Sequence, residues 1–290
     1  MGDMKPYVYV TRDAGKSWQA LATKDIQGYA HKVKQDPVNA DLLFVGTELG
    51  LYMSMDAGKS WIRYSANVPP VAVRDIQIHP VTHDLILGTH GRGIIIIDDL
   101  TPVRSMSKEV LEKEMSFLPS RPSFLTTGMY GSAFPNGGYA GPNSTEEYVI
   151  NYYLKNRILK GEVRLDFYDD KGNKVGSTPG TKRKGLNQVT WDMRRKPPRV
   201  AEGVKLDFSG FFGPLCNEGT YTCKLIVGDK EIEQKIELKF NPRDITPRSE
   251  RELQAKTVEE LFSMQEDLAF LAFRLKSVKE QAASVSGSNK

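Results

Sequence analysis

The residues most suggestive of chemistry are Thr89-His90-Gly91-Arg92-Gly93, followed by Asp98 and Asp99. Glycine on both sides of Arg92 lets the backbone turn tightly and present a guanidinium. Its fork of N–H donors can grip a carboxylate or a sugar acid by paired hydrogen bonds. The competing reading is that Arg92 pairs with a carboxylate of a neighbouring structural repeat, an interaction of small energy at a surface. His90, Arg92, Asp98 and Asp99 are therefore the candidate binding residues.

Other chemistry is thinner. The four histidines, His31, His79, His83 and His90, fall in turns or at strand ends. His79 and His83 bracket the turn Pro80-Val81-Thr82 and do not share a helix face, so no metal site is expected. Cys216 and Cys223 are too few for a disulfide framework. They flank the turn Asn217-Glu218-Gly219 and could pair only if the chain folds back, which leaves pairing open. No nucleophile elbow, Walker loop or dinucleotide fingerprint is visible, and no cofactor is expected. Glycoside hydrolysis needs two facing carboxylates. Acids on different repeats could supply them, but nothing singles out a pair, and catalytic residues stay unassigned.

Charge excludes some partners. Forty basic residues against 36 acidic leave a net charge of +4. The triplets Lys182-Arg183-Lys184 and Arg194-Arg195-Lys196 read as solvated strand ends, so no nucleic-acid partner is expected. No run approaches the roughly 20 apolar residues that span a bilayer. The most apolar stretch, Ile94 to Ile97, reads as a buried strand. Residues 1–6 lack the apolar region of a secretory signal, so a leader is expected upstream if the protein is exported.

The elements that must position these groups come from a repeat. Thr11-Arg12-Asp13-Ala14-Gly15-Lys16-Ser17-Trp18 returns as Ser54-Met55-Asp56-Ala57-Gly58-Lys59-Ser60-Trp61, a period of 43 residues. Asp36-Pro37-Val38 and His79-Pro80-Val81 keep the same spacing. Each unit also holds a strand ending in Gly-Thr and a second strand after a glycine, the pattern of an antiparallel blade. A period of about 40 to 50 residues is that of a four-stranded propeller blade.

The octapeptide resembles the Asp-box, or bacterial-neuraminidase repeat, of sialidase-like and sortilin-like propellers. In that reading Asp13 and Asp56 are turn staples bonded to backbone amides, and Gly15 and Gly58 supply positive φ. Trp18 and Trp61 pack between neighbouring sheets. About two and a half blades are present within residues 1–104. The remaining blades are expected from upstream sequence or from another chain.

Residues 105–144 read as a linker, with a short helix around Lys108 to Met115 and a Gly/Pro/aromatic loop at 128–143. Strand patterns then follow through residues 145–245, including a hairpin around Asp169-Asp170-Lys171-Gly172-Asn173. Tyr152-Tyr153-Leu154, Gly185-Leu186-Asn187-Gln188-Val189-Thr190-Trp191-Asp192 and Gly219-Thr220-Tyr221-Thr222 resemble the Ig-like domain of flagellar hook-capping proteins. Residues 246–290 form a helical tail, in which Leu261, Met264, Leu268, Leu271, Leu275 and Val278 make one apolar stripe. The stripe is expected to pack on the same molecule, with a partner helix, and so an intermolecular scaffold, as the alternative.

The fold class expected is thus mainly β: a partial β-propeller of Asp-box blades, an Ig-like β-sandwich and a C-terminal helical tail. The resemblances point to exported sortilin-like or BNR-repeat proteins and imply a non-catalytic recognition or scaffolding module that binds a glycan or a protein. The alternative they imply is a glycosyl hydrolase with its carboxylates on the propeller face.

Overall fold

The structure, a computed structural model, describes residues 2–21, 23–125, 147–206, 212–242 and 244–287. The loop expected at 128–143 lies outside them. The chain is mainly β, with 36% strand and 18% helix, and divides into two compact units, Met1–Lys113 with Leu118–Arg121 and Glu114–Phe117 with Pro122–Lys290.

In the first unit, β1 (Tyr9–Val10) and β2 (Gln19–Ala20) form an antiparallel ribbon. Strands β3 (Ala30–Gln35), β4 (Leu43–Thr47), β5 (Gly50–Ser54) and β6 (Ile62–Tyr64) follow as a four-stranded meander. A three-stranded meander comes next, built of β7 (Val73–Ile78), β8 (Leu85–Thr89) and β9 (Ile94–Ile97).

The central strands β4 and β5 are buried along their whole length. Phe44, Leu51 and Met53 face Ile76, Leu85 and Leu87 of the next sheet. Leu43, Val45 and Tyr52 face the other way, onto Val8, Ile26 and Trp61. Burial on both faces explains why the run Leu42–Val45 is continuously apolar and not alternating. The sheets approach closely at Gly46, where a Cβ would stand 2.6 Å from the Val73 carbonyl oxygen and 2.8 Å from its Cγ1.

The two octapeptides adopt the same turn. Asp13 Oδ1 accepts from the Ser17 amide at 2.9 Å and Oδ2 from the Ser17 hydroxyl at 2.6 Å. Asp56 accepts from Ser60 at the same two distances. The Thr11 and Ser54 hydroxyls each accept from a glycine amide, Gly15 and Gly58, at 2.8 Å. Those glycines have φ of 89° and 83°, a region where a side chain is strained.

A second repeated turn uses two different side chains for one task. Asp36 Oδ1 accepts from the amides of Val38 and Asn39 at 2.9 and 2.7 Å. One repeat later, His79 Nδ1 accepts from those of Val81 and Thr82 at 3.4 and 3.0 Å.

Two expectations change here. Trp61 is 4% exposed but Trp18 is 63% exposed. Trp61 packs with Val8, Leu21 and Ile26, whereas no sheet covers the Trp18 ring among the described residues. Ile94 and Ile96 are 72% and 57% exposed, because β9 is an edge strand and only Ile95 and Ile97 reach the core.

After β9 the chain turns into α1 (Thr101–Arg104) and α2 (Lys108–Glu112), the latter capped by the Ser107 hydroxyl. The α2 helix stops short of Met115, which opens a strand instead.

The second unit is a two-sheet sandwich. Its strands are β10 (Met115–Leu118), β11 (Phe124–Leu125), β12 (Tyr148–Leu154), β13 (Val163–Tyr168), β14 (Lys174–Pro179), β15 (Gly185–Trp191), β16 (Gly219–Val227) and β17 (Lys230–Phe240). One sheet runs β10-β12-β15 and the other β11-β17-β16-β13-β14. Strands β10 and β11 occupy residues that read as linker, since two to four residues carry no visible alternation. Between the sheets Trp191 stacks on Phe167 at 4.0 Å and 7°. Asn187 ties the entry of β15 by donating to the carbonyls of Arg183 and Gly185 at 2.7 and 2.9 Å.

The tail is one long helix, α3 (Arg248–Gly287). It meets its own unit through Arg195, which pairs with Glu259 at 2.7 Å and lies 4.5 Å over Phe262. Arg195 is therefore engaged and not simply solvated. The apolar stripe from Leu261 to Val278 stays exposed, contrary to the expected packing. No helix among the described residues is long and apolar enough to cross a membrane.

Candidate functional site

The inner strands β3 and β7 carry equivalent irregularities. The β3–β4 register shifts between Ala30 and Lys32, and the β7–β8 register between Val73 and Asp75. His31 and Arg74 are the extra residues, 43 apart in sequence. A bulge of this kind re-aims the side chain it carries.

Both re-aimed side chains converge on Glu48, in the turn between β4 and β5. His31 Nε2 lies 2.7 Å and Arg74 Nη2 3.3 Å from Glu48 Oε2, and Arg74 Nη1 lies 3.4 Å from His31 Nδ1. With the imidazole proton on Nε2, His31 donates to the carboxylate and accepts from the guanidinium. Tyr29 meets the imidazole edge-on at 4.7 Å. The hydrogen bond from His31, then that from Tyr29, holds the Glu48 carboxyl below its usual range, with Arg74 adding to the effect.

The strip continues along the same two strands. Lys32 pairs with Asp75 at 3.2 Å, and Lys34 Nζ donates to Gln77 Oε1 at 3.2 Å. The Asp75 carboxyl is also lowered, by Gln77 and then Lys32. The Arg74 side chain is 47% and that of Glu48 31% exposed, so both keep hydrogen-bonding groups open to solvent. The arrangement offers alternating donors and acceptors of both signs, with the one imidazole oriented on both nitrogens.

Arg92 and its neighbours are placed differently. Thr89 to Gly93 forms the β8–β9 turn, closed by the Thr89 amide and hydroxyl on the Gly93 carbonyl at 3.0 and 2.7 Å. Gly91 and Gly93 have φ of 95° and 65°. The His90 amide donates to the Ala72 carbonyl at 2.9 Å, which sets this turn beside the start of β7. Glu48 and His90 both follow a Gly-Thr pair, so His90 and Arg92 occupy in one sheet the turn that Glu48 occupies in the preceding one.

Asp98 and Asp99 are not part of that cluster. They follow β9 at its far end, a strand of four residues away from Gly93, about 13 Å. Asp99 is buried and bonded to the amides of Thr101 and Arg121, both at 3.0 Å. Its role is to fix the exit of the chain, while Asp98 is exposed. The candidate residues from the sequence therefore split into two groups at opposite ends of one hairpin.

His31, Glu48 and Arg74 were missed in the sequence because bulges leave no compositional mark. The 43-residue period was the available signal, since it aligns His31 with Arg74 and Lys32 with Asp75. In the other unit, a cavity of about 530 Å³ is lined by Arg194, Cys216, Glu218, Phe240 and Arg251. Arg251 already bonds the Thr246 carbonyl at 3.2 Å and lies over Phe240 at 4.7 Å. No group of three or more His, Cys, Asp or Glu suited to a metal occurs among the described residues.

Residues 6–118 match the family model described as Sortilin, neurotensin receptor 3. No curated protein matches the chain. The match covers the repeated, face-to-face sheets, and residues 6–118 are a propeller-type module similar to sortilin.

Proposed function

We propose that this chain contributes a non-catalytic recognition module to an exported sortilin-like, Asp-box propeller protein, with a glycan or a protein as its ligand. The observation that carries the reading is the convergence of the bulge residues His31 and Arg74 on the open carboxylate of Glu48. Such a strip reads hydroxyls, amides and charges on a ligand by hydrogen bonds.

Five acids of the first unit fit recognition better than hydrolysis. Asp13, Asp36, Glu48, Asp56 and Asp75 all have carboxyls shifted downward. A glycosidase acid needs the opposite shift, so that it holds a proton near neutral pH. In this reading the Asp-boxes hold turns, and His90 and Arg92 extend the ligand face by one blade. Further blades close the ring, since a closed propeller has at least about four. In this reading residues 1–104 are propeller, and the second unit, which takes β10 and β11 from the stretch that reads as linker, is an Ig-like sandwich of the hook-capping type followed by the helix α3.

The test is binding of the purified chain to glycan and peptide arrays, with Arg74→Ala and Glu48→Gln as variants. Either replacement should weaken a specific signal about tenfold or more. Unchanged binding, or substrate turnover abolished by replacing one carboxylate, overturns the reading.

A further inference from the structure

Helix α3 shows two distinct faces. Arg251, Ala255, Val258, Phe262, Glu266 and Ala269 are partly covered by the helix's own unit. The segment 195–202 runs along that side, with Arg195 on Glu259, Arg199 on Glu266 at 2.7 Å, and Glu202 on Lys276. The apolar stripe lies about 150° away around the helix at 100° per residue. Each of its six members, Leu261, Met264, Leu268, Leu271, Leu275 and Val278, is more than half exposed, from 57% to 72%.

The stripe is a heptad seam. Its residues alternate steps of three and four from 261 to 278, the spacing of a and d positions in a two-stranded coiled coil. A seam with a strict 3.5-residue period fits another helix of the same period better than an irregular loop or a flat sheet.

The flanking charges select the partner and its direction. Asp267 and Arg274 flank the seam on one edge, and Lys279 on the other. A parallel pair of copies in register brings Arg274 against the partner's Lys279, a like-charge contact. An antiparallel pair that sets Leu268 opposite the partner's Leu271 also sets Leu261 opposite the partner's Val278 and Met264 opposite the partner's Leu275. In that register Asp267 lies opposite the partner's Arg274, and the two-fold symmetry repeats the pair. Glu260 then meets the partner's Gln281 without conflict.

From this we infer that α3 is a self-association element: the Leu261–Val278 seam pairs antiparallel with the same seam of a second copy, its register set by Asp267 and Arg274. The inference stands apart from the ligand proposed for the first unit, because no residue of the strip takes part.

The test is sedimentation equilibrium of the full 290-residue chain and its variants. The unaltered chain should run as a dimer at micromolar concentration. Asp267→Arg alone, or Arg274→Asp alone, should raise the dissociation constant about tenfold or more, and the double exchange should restore it. Asp267 and Arg274 are a full two turns apart on one helix and do not pair within it, so restoration reports the contact between copies. Leu268→Glu should give monomers with unchanged helical circular dichroism. A monomeric unaltered chain overturns the inference, including one that dimerises only after residues 126–146 are deleted. So does a double exchange no better than either single change.

Discussion

Lys34 and Gln77 stand 43 residues apart in the chain and 3.2 Å apart in space. His31 with Arg74 and Lys32 with Asp75 have the same separation and also touch. Equivalent positions of successive repeats meet side by side only if each sheet is carried onto the next by one common operation, which is how blades succeed one another around a propeller axis. The polar strip is therefore a consequence of the repeat: whatever the inner strand offers at one position is placed beside its counterpart.

The close approach of the sheets predicts an asymmetry between two glycines. A Cβ at Gly46 would collide with Val73, while one at Gly88 would find its nearest atom at an ordinary 3.6 Å. Gly46→Ala should destabilise the chain by about 1–3 kcal/mol, and Gly88→Ala by much less. Urea unfolding of both variants checks this, and equal effects would contradict it.

Arg104 closes the exit of the third sheet onto the second. Its Nε lies 3.0 Å from both Asp36 oxygens and its Nη2 2.7 Å from Oδ2. Burial alone would raise the Asp36 carboxyl, yet Arg104 and the amides of Asn39 and Val38 bring it below its usual value. Arg104→Ala leaves this carboxylate buried and unpaired, and should cost about 3–5 kcal/mol in the same unfolding measurement.

Asp13 should titrate at about 2, against an ordinary 3.8, because Ser17 donates from its hydroxyl and its amide, and Thr11 from its hydroxyl. The folded value is the lower one, so its contribution to stability is fully present above about 3.8 and disappears as pH falls through about 2. Carboxyl NMR titration gives the midpoint directly. Ser17→Ala should move it upward toward 3.8.

Cys216 and Cys223 are both free and buried, and burial pushes each thiol up to about 12. The thiolate is the reactive form. In the folded chain at pH 8, a thiol-disulfide reagent should therefore react far more slowly than after denaturation. Rapid labelling of either cysteine in the folded chain would contradict that environment.

The parts of the fold that can be read from the sequence are those whose causes are local. The eight-residue turn contains its own acceptor, hydroxyls and positive-φ glycine, so its spacing announces the blade. Asp169 behaves likewise, holding its hairpin turn through the amides of Lys171 and Asn173 at 3.0 and 2.7 Å. Periodicity also marks α3 as amphipathic. What covers an element is a different matter: composition does not reveal that Trp18 lacks a sheet behind it among the described residues, that β9 is an edge, or that α3 leaves its Leu261–Val278 stripe exposed.

The site suffers most from this. Asp99 is close to Arg92 in sequence, but an intervening strand takes them to opposite ends. Glu48, in contrast, is 17 residues from His31 and 26 from Arg74, and only the register shifts bring the three together.

The most direct test of the repeat-built strip is carbodiimide coupling, which joins an amine to a carboxylate only when they touch, followed by peptide mass spectrometry. Lys32 and Asp75, 3.2 Å apart, should yield a linked peptide in the folded chain and none in the Asp75→Asn variant. Absence of that link, or coupling of Lys32 to acids one or two residues off the repeat, would show that successive inner strands do not lie in equivalent register.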